Sequence, residues 1–105
     1  MATTRLRDLA STIRSKNAGV DHITFDVIFR ERENYDRVRR SGVLSREAIC
    51  RIFNVPPSRI SDHVEFEPAL AIKFTLYRTR PSGSPGDPDI FGSQQYGPLL
   101  GAEVP

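Results

Sequence analysis

His22-Ile23-Thr24-Phe25-Asp26-Val27-Ile28-Phe29 decides the fold class. Ile23, Phe25, Val27 and Phe29 alternate with Thr24, Asp26 and Ile28, and β-branched and aromatic residues dominate the run. That pattern is a strand with one apolar face. A lone strand cannot bury such a face, so the rest of the sheet must lie elsewhere in the chain. The same alternation returns at Leu70, Ile72, Phe74 and Leu76, set against Ala71, Lys73, Thr75 and Tyr77, which predicts a strand over 70–78. Just before it, Val64 and Phe66 flank Glu65 and Glu67. This stretch is either a strand of its own or the start of the same one, with Pro68 interrupting the ladder at a bulge or an edge.

Between the two strand regions the signals are helical. Asn34 is a candidate N-cap for a short helix with Tyr35 and Val38 facing inward, and Ser41-Gly42 ends it with Gly42 in the left-handed position. Ser45 caps a second helix, Glu47 complements its N-terminal dipole, and Ala48, Ile49, Ile52 and Phe53 form its buried stripe until Pro56-Pro57 forbids continuation. Upstream of the first strand, Leu6, Leu9, Ala10 and Ile13 fall at i, i+3, i+4 and i+7, which by periodicity predicts an amphipathic helix. Arg14-Ser15-Lys16-Asn17-Ala18-Gly19 then reads as a turn, because Asn and Gly tolerate left-handed backbone. Downstream, residues 80–98 form a Pro/Gly-rich loop, and Leu99 to Val104 offers a further edge strand. Ordered loops of such length are uncommon in a small domain and are usually functional.

The 105 residues suit one small domain. Of the 15 basic residues only Lys16 and Lys73 are lysine, and 13 carboxylates hold the net charge to +2. The densest charged run, Arg30 to Arg40, alternates sign for most of its length, as a solvated helix face laced with ion pairs does and a phosphate-binding patch does not. No stretch approaches the apolar length of a membrane span, and Arg5, Arg7 and Asp8 stand where a signal peptide would be apolar, so a cytoplasmic location is expected. Cys50 is the single cysteine. It has no internal disulfide partner and no companion at zinc-ligand spacing, and beside Ile49 it reads as a small inert hydrophobe.

Three stretches together carry a family resemblance. They are Leu6-x-Asp8-Leu9-Ala10 running into Arg14 to Gly19, then Arg40-Ser41-Gly42-Val43-Leu44, and last Ser82-Gly83-Ser84-Pro85-Gly86-Asp87 with Gln94-Gln95 and Pro98-Leu99-Leu100. Over nearly its whole length the chain resembles the small bacterial domain-of-unknown-function family 4387. The resemblance implies a companion of larger proteins similar to the acyclic terpene utilisation protein AtuA. The segment Arg-Ser-Lys-Asn-Ala-Gly is similar to an Arg-Ser-Gly-Asp-Lys-Gly turn in those proteins' C-terminal ferredoxin-like domain. It further implies that the first segment is a strand pairing with the strand at 22–30, in a β-β-α-α-β-β sandwich. Here Ala18 stands where the related turn has lysine, so a role for Lys16 does not follow from the likeness.

Candidate sites lie in two segments. Arg14, Ser15, Lys16, Asn17 and Gly19 make either an anion cradle of backbone N–H groups and cations or a plain hairpin turn. In the loop, Ser82, Gly86, Asp87, Gln94 and Gln95 can hydrogen-bond a ligand or a partner backbone, although no Gly-Lys-Ser/Thr follows to make a phosphate loop. His63 with Glu65 and Glu67 is a weaker acid/base or metal candidate; the spacing of His22 and His63 demands no metal, and the residues assign no cofactor. Ser45 to Ser61 scans like a helix-turn-helix, but its continuation into Glu65, Glu67 and β-type alternation opposes DNA binding.

The expected architecture is an α+β two-layer sandwich, ferredoxin-like or related. An antiparallel sheet of about four strands is covered on one face by a helix pair at 34–54. Its other face, with Thr24, Asp26, Lys73 and Thr75, is available to a partner. The expected role is a small accessory subunit of an AtuA-like protein in organic-acid or acyl-CoA metabolism. The alternative is an autonomous small-molecule-binding or enzymatic homo-oligomer with its own site built on Arg14, Lys16 and Asp87; neither nucleic acid nor membrane is favoured as a partner.

Overall fold

The computed structural model describes residues 3–19, 21–77 and 97–105. Six strands and four helices run in the order β1 (Thr4–Arg5), α1 (Leu6–Leu9), β2 (Thr12–Asn17), β3 (His22–Ile28), α2 (Arg32–Ser41), α3 (Arg46–Phe53), β4 (Ile60–Phe66), β5 (Ala71–Tyr77), α4 (Gly97–Leu100) and β6 (Glu103–Val104). The main sheet has the order β2-β3-β5-β4 and is antiparallel throughout. Two hairpins are thus joined by a helical crossover, and the last strand of this sheet in sequence, β5, lies between β3 and β4. This is the α+β sandwich that the alternating runs predicted.

Alternation sorts the sheet into two faces. On one lie Ile23, Phe25, Val27, Ile72, Phe74 and Leu76, all buried. Phe25 stacks on Phe74 at 4.8 Å between ring centroids, and Phe53 of α3 meets both rings, at 5.0 and 6.0 Å. Tyr35 and Val38 of α2 join the same core, with Tyr35 edge-on to Phe29 at 6.1 Å. Such aromatic contacts add ~0.5–1.5 kcal/mol each beyond the area they bury.

The helix punctuation is visible in the caps. Gly42 ends α2 in the left-handed region at φ 75°, where a Cβ would strain the backbone. The Ser45 side chain accepts from the Ala48 N–H at 3.2 Å to start α3. Asn54, left-handed at φ 54°, closes α3 ahead of Pro56. The start of α2 differs from expectation. The helix begins at Arg32 after Glu31, and Asn34 lies inside its first turn, donating its amide to the Leu9 carbonyl at 3.4 Å.

Three further expectations are corrected. The predicted helix from Leu6 to Ile13 is a single turn, Leu6–Leu9; the backbone becomes extended at Ala10 (φ −81°, ψ 144°), and Ile13 lies in β2 opposite Val27. The apolar spacing arose because Leu6 fills the core from the turn while Ile13 faces the helices from a strand. Second, Arg14 to Asn17 is the body of β2 and not a turn; the reversal follows at Ala18, with Gly19 at φ 102°. The hairpin with β3 that the family likeness implied is therefore present. Third, Leu99 to Val104 does not extend the main sheet. Only Glu103–Val104 is strand, and it pairs with Thr4–Arg5 as a separate ribbon. Arg37 of α2 ties that ribbon down, donating to the Pro105 and Val104 carbonyls at 2.9 and 3.3 Å and to Thr4 Oγ1 at 3.1 Å.

Candidate functional site

The second face of the main sheet carries the features that the core does not explain. The register sets three rows across it in the strand order β2, β3, β5, β4. They are Thr12–Ile28–Ala71–Phe66, Arg14–Asp26–Lys73–Val64 and Lys16–Thr24–Thr75–Asp62, with His22 beside Tyr77 at one end. This face mixes charge with apolar surface. Val64, Phe66 and Tyr77 are 49%, 46% and 41% exposed, large for apolar side chains, and all three lie on it.

At its centre is a buried carboxylate. Asp26 is only 2% exposed. Arg14 donates its Nε–H to Asp26 Oδ2 at 2.9 Å, and the Lys73 ammonium stands 3.9 Å from Oδ1. Among the described residues nothing donates a hydrogen bond to the buried Oδ1. A buried carboxylate is costly unless paired, and here the pairing comes from two half-exposed cations on neighbouring strands. The Lys73 ammonium also lies 5.9 Å from the Phe66 ring centroid, and Thr24 and Thr75 share a hydrogen bond of 3.0 Å.

The residues singled out in the sequence are distributed as follows. Arg14 and exposed Lys16 lie on this second face, Ser15 and Asn17 on the helix-covered one, and Gly19 in the hairpin turn. Those residues do not converge on one point; Arg14 converges with Asp26 and Lys73 instead. Alternation alone had placed Asp26 and Lys73 on this face, but their meeting with Arg14 depends on register. Ser82, Gly86, Asp87, Gln94 and Gln95 lie outside the described residues.

The other sequence candidates separate. His63 lies on the helix-covered side of β4, its Nε2 2.6 Å from the Leu44 carbonyl oxygen, while Glu67 sits in the turn after β4 and pairs with Arg32. Among the described residues no three of His, Cys, Asp and Glu come together in a way that could hold a metal ion. The segment from Ser45 to Ser61 is α3 followed by a 3-10 turn, Pro57–Arg59, and then β4, so the second helix of a helix-turn-helix is absent there. Cys50 is half-buried at the margin of the core. The charged run of α2 pairs Arg32 with Asp36 at 3.7 Å and Arg39 with Asp36 at 3.4 Å, a solvated face as expected.

A cleft adjoins the helices. About 320 Å³ in volume, it lies between the α2–α3 turn and β4, and Arg39, Arg46, Glu47, His63 and Glu65 supply its polar lining. On α2, burial holds the Tyr35 phenol above its ordinary pKa, with the Glu65 carboxylate adding to the effect. Among the described residues no helix is long and apolar enough to cross a membrane.

Fold and site define a small α+β protein with a helix-covered sheet whose second face carries a buried ion cluster and exposed apolar side chains. The family model described as Domain of unknown function (DUF4387) matches residues 6–103, and the chain belongs to that family. No curated protein and no solved structure matches it.

Proposed function

We propose that this protein is an accessory subunit that acts by docking, through the second face of its sheet, on a larger AtuA-like protein of organic-acid or acyl-CoA metabolism. The choice of partner comes from the family likeness. The observation that carries docking is the placement of Val64, Phe66 and Tyr77 together on the face that surrounds the Arg14–Asp26–Lys73 cluster. Exposed apolar side chains beside fixed charges suit a specific interface, where burial supplies affinity and the charges supply register.

Co-expression of the tagged chain with the AtuA-like protein of the same cell tests this reading. Wild type is expected to retain the larger protein through size exclusion, and Phe66→Asp to lose it while keeping a native circular dichroism spectrum. Failure of wild type to retain it, or retention unchanged in Phe66→Asp, overturns the reading.

A second reading, an autonomous site for a small organic acid, has the cleft beside His63 in its favour. Its volume is near the lower end for ligand pockets, enough for an organic acid and too little for a whole acyl-CoA. A dose-dependent rise in melting temperature with a panel of carboxylic acids, abolished by Arg39→Ala, would support it.

A further inference from the structure

Four of the charges on the docking face, Lys16, Asp26, Lys73 and Asp62, occupy row positions that complement each other in a second copy, while Arg14 comes opposite Val64. Two copies of a sheet can meet face to face about a two-fold axis along the strands or about one across them. An axis along the strands, between β3 and β5, keeps each row in place and reverses its order. Lys16 then lies over Asp62 of the second copy, and Asp26 over Lys73 of the second copy, with the reciprocal pairs generated by the same rotation. Thr24 meets Thr75, Ile28 meets Ala71, and Phe66 covers Thr12. An axis across the strands, centred on the middle row, instead sets Arg14 on Arg14 and Lys73 on Lys73.

We infer that in the absence of a larger partner this face is occupied by a second copy of the chain, as an isologous dimer about an axis parallel to the strands. The inference rests on the reading of this face as a docking surface and names what covers it in the isolated protein. One observation supports it. The row order places opposite charges opposite each other in only one of the two symmetries.

The contact is small. Strands ~4.8 Å apart and residues ~3.4 Å apart along them give four strands and three rows a projected area on the order of 400 Å² per copy. Over both copies that is ~800 Å², below the ~1,200–2,000 Å² of stable specific interfaces, so the dimer is weak, depends on concentration and loosens with salt. Weakness suits a face that must be released to a larger partner.

Charge exchange provides the test. Lys16 and Asp62 stand on opposite edges of the sheet within one chain, roughly 14 Å apart across three strand spacings, so they do not form a pair there. Sedimentation equilibrium of the full chain at low salt is expected to show a monomer–dimer equilibrium. Lys16→Asp alone and Asp62→Lys alone should each weaken it about tenfold or more, because both symmetric contacts become like-charged. An equimolar mixture of the two variants should recover association close to wild type, since each chain supplies what the other lacks. A wild type that stays monomeric at millimolar concentration overturns the dimer, as does a mixture no better than either variant. Capture of the AtuA-like protein by wild type and Phe66→Asp, measured in parallel, separates the two ideas. A monomeric wild type whose capture is lost in Phe66→Asp removes the dimer and keeps the docking reading, whereas charge-dependent dimers with capture indifferent to Phe66→Asp do the reverse.

Discussion

His63 Nε2 lies 2.6 Å from the carbonyl oxygen of Leu44, joining edge strand β4 to the turn between the two helices. A carbonyl oxygen only accepts, so Nε2 carries the proton and donates. This is the one hydrogen bond from β4 to the helical layer among those described. His63→Ala is expected to cost about 1 kcal/mol, read as a lower urea midpoint at unchanged slope. His63→Gln, which can still donate, should recover part of it.

Arg14 and Lys73 both face Asp26 but are not equivalent. Arg14 donates a hydrogen bond to the buried carboxylate, whereas Lys73 stands off at 3.9 Å. Arg14→Ala removes the donor to Oδ2 and is expected to destabilise by ~1–3 kcal/mol. Lys73→Ala is expected to cost ~0–1 kcal/mol, the range of an exposed ion pair. Chemical denaturation of the two variants checks the order, and a larger loss for Lys73→Ala would refute it.

Tyr35 gives stability an alkaline limit. Its phenol is buried against Phe29 and is held above its ordinary pKa, so the folded state keeps the proton longer than the unfolded chain does. The contribution is complete below the unfolded pKa of ~10 and is lost as pH rises from there through the folded value. Urea unfolding between pH 8 and 11 should show wild type losing stability faster than Tyr35→Phe above pH ~10.

Arg37 holds the β1–β6 ribbon through three hydrogen bonds from one guanidinium. Arg37→Ala is expected to speed amide exchange at Arg5 and Leu6 while leaving Phe25 and Phe74 protected, because the ribbon is a separate two-stranded unit. Equal acceleration in both regions, measured by hydrogen exchange, would show that ribbon and sheet open as one.

Much of this architecture is legible in the chain. The alternation at Ile23 to Phe29 and at Ile72 to Leu76 marks the two central strands, since both bury one face against helices. Gly42 and Ser45 announce the helix ends because left-handed backbone and N-capping demand particular residues. Leu6 to Ile13 misleads because a helical turn followed by a strand mimics one helix face when only apolar spacing is read. At the site, alternation places Asp26, Lys73, Thr24 and Thr75 on the second face of the sheet. It does not reveal that Asp26 is buried or paired with Arg14, for that follows from the β2–β3–β5 register between residues distant in sequence. The isolated Val64 and Phe66 gain meaning only when β4 is known to be an edge strand with Asp62 on the same face.

The central position of β5 bears on how the molecule is made. Phe25 pairs with Phe74 across the middle of the sheet, and β4 reaches β3 only through β5. While the chain emerges from the ribosome, the first hairpin and both helices are available early, yet β4 has no neighbour until residues 71–77 follow. Closure is then a single long-range event, which slows folding relative to a helical domain of similar size. A nascent chain halted before β5 would hold two unfinished pieces with bare strand edges and no common core, so β5 is the keystone whose arrival commits the whole domain at once.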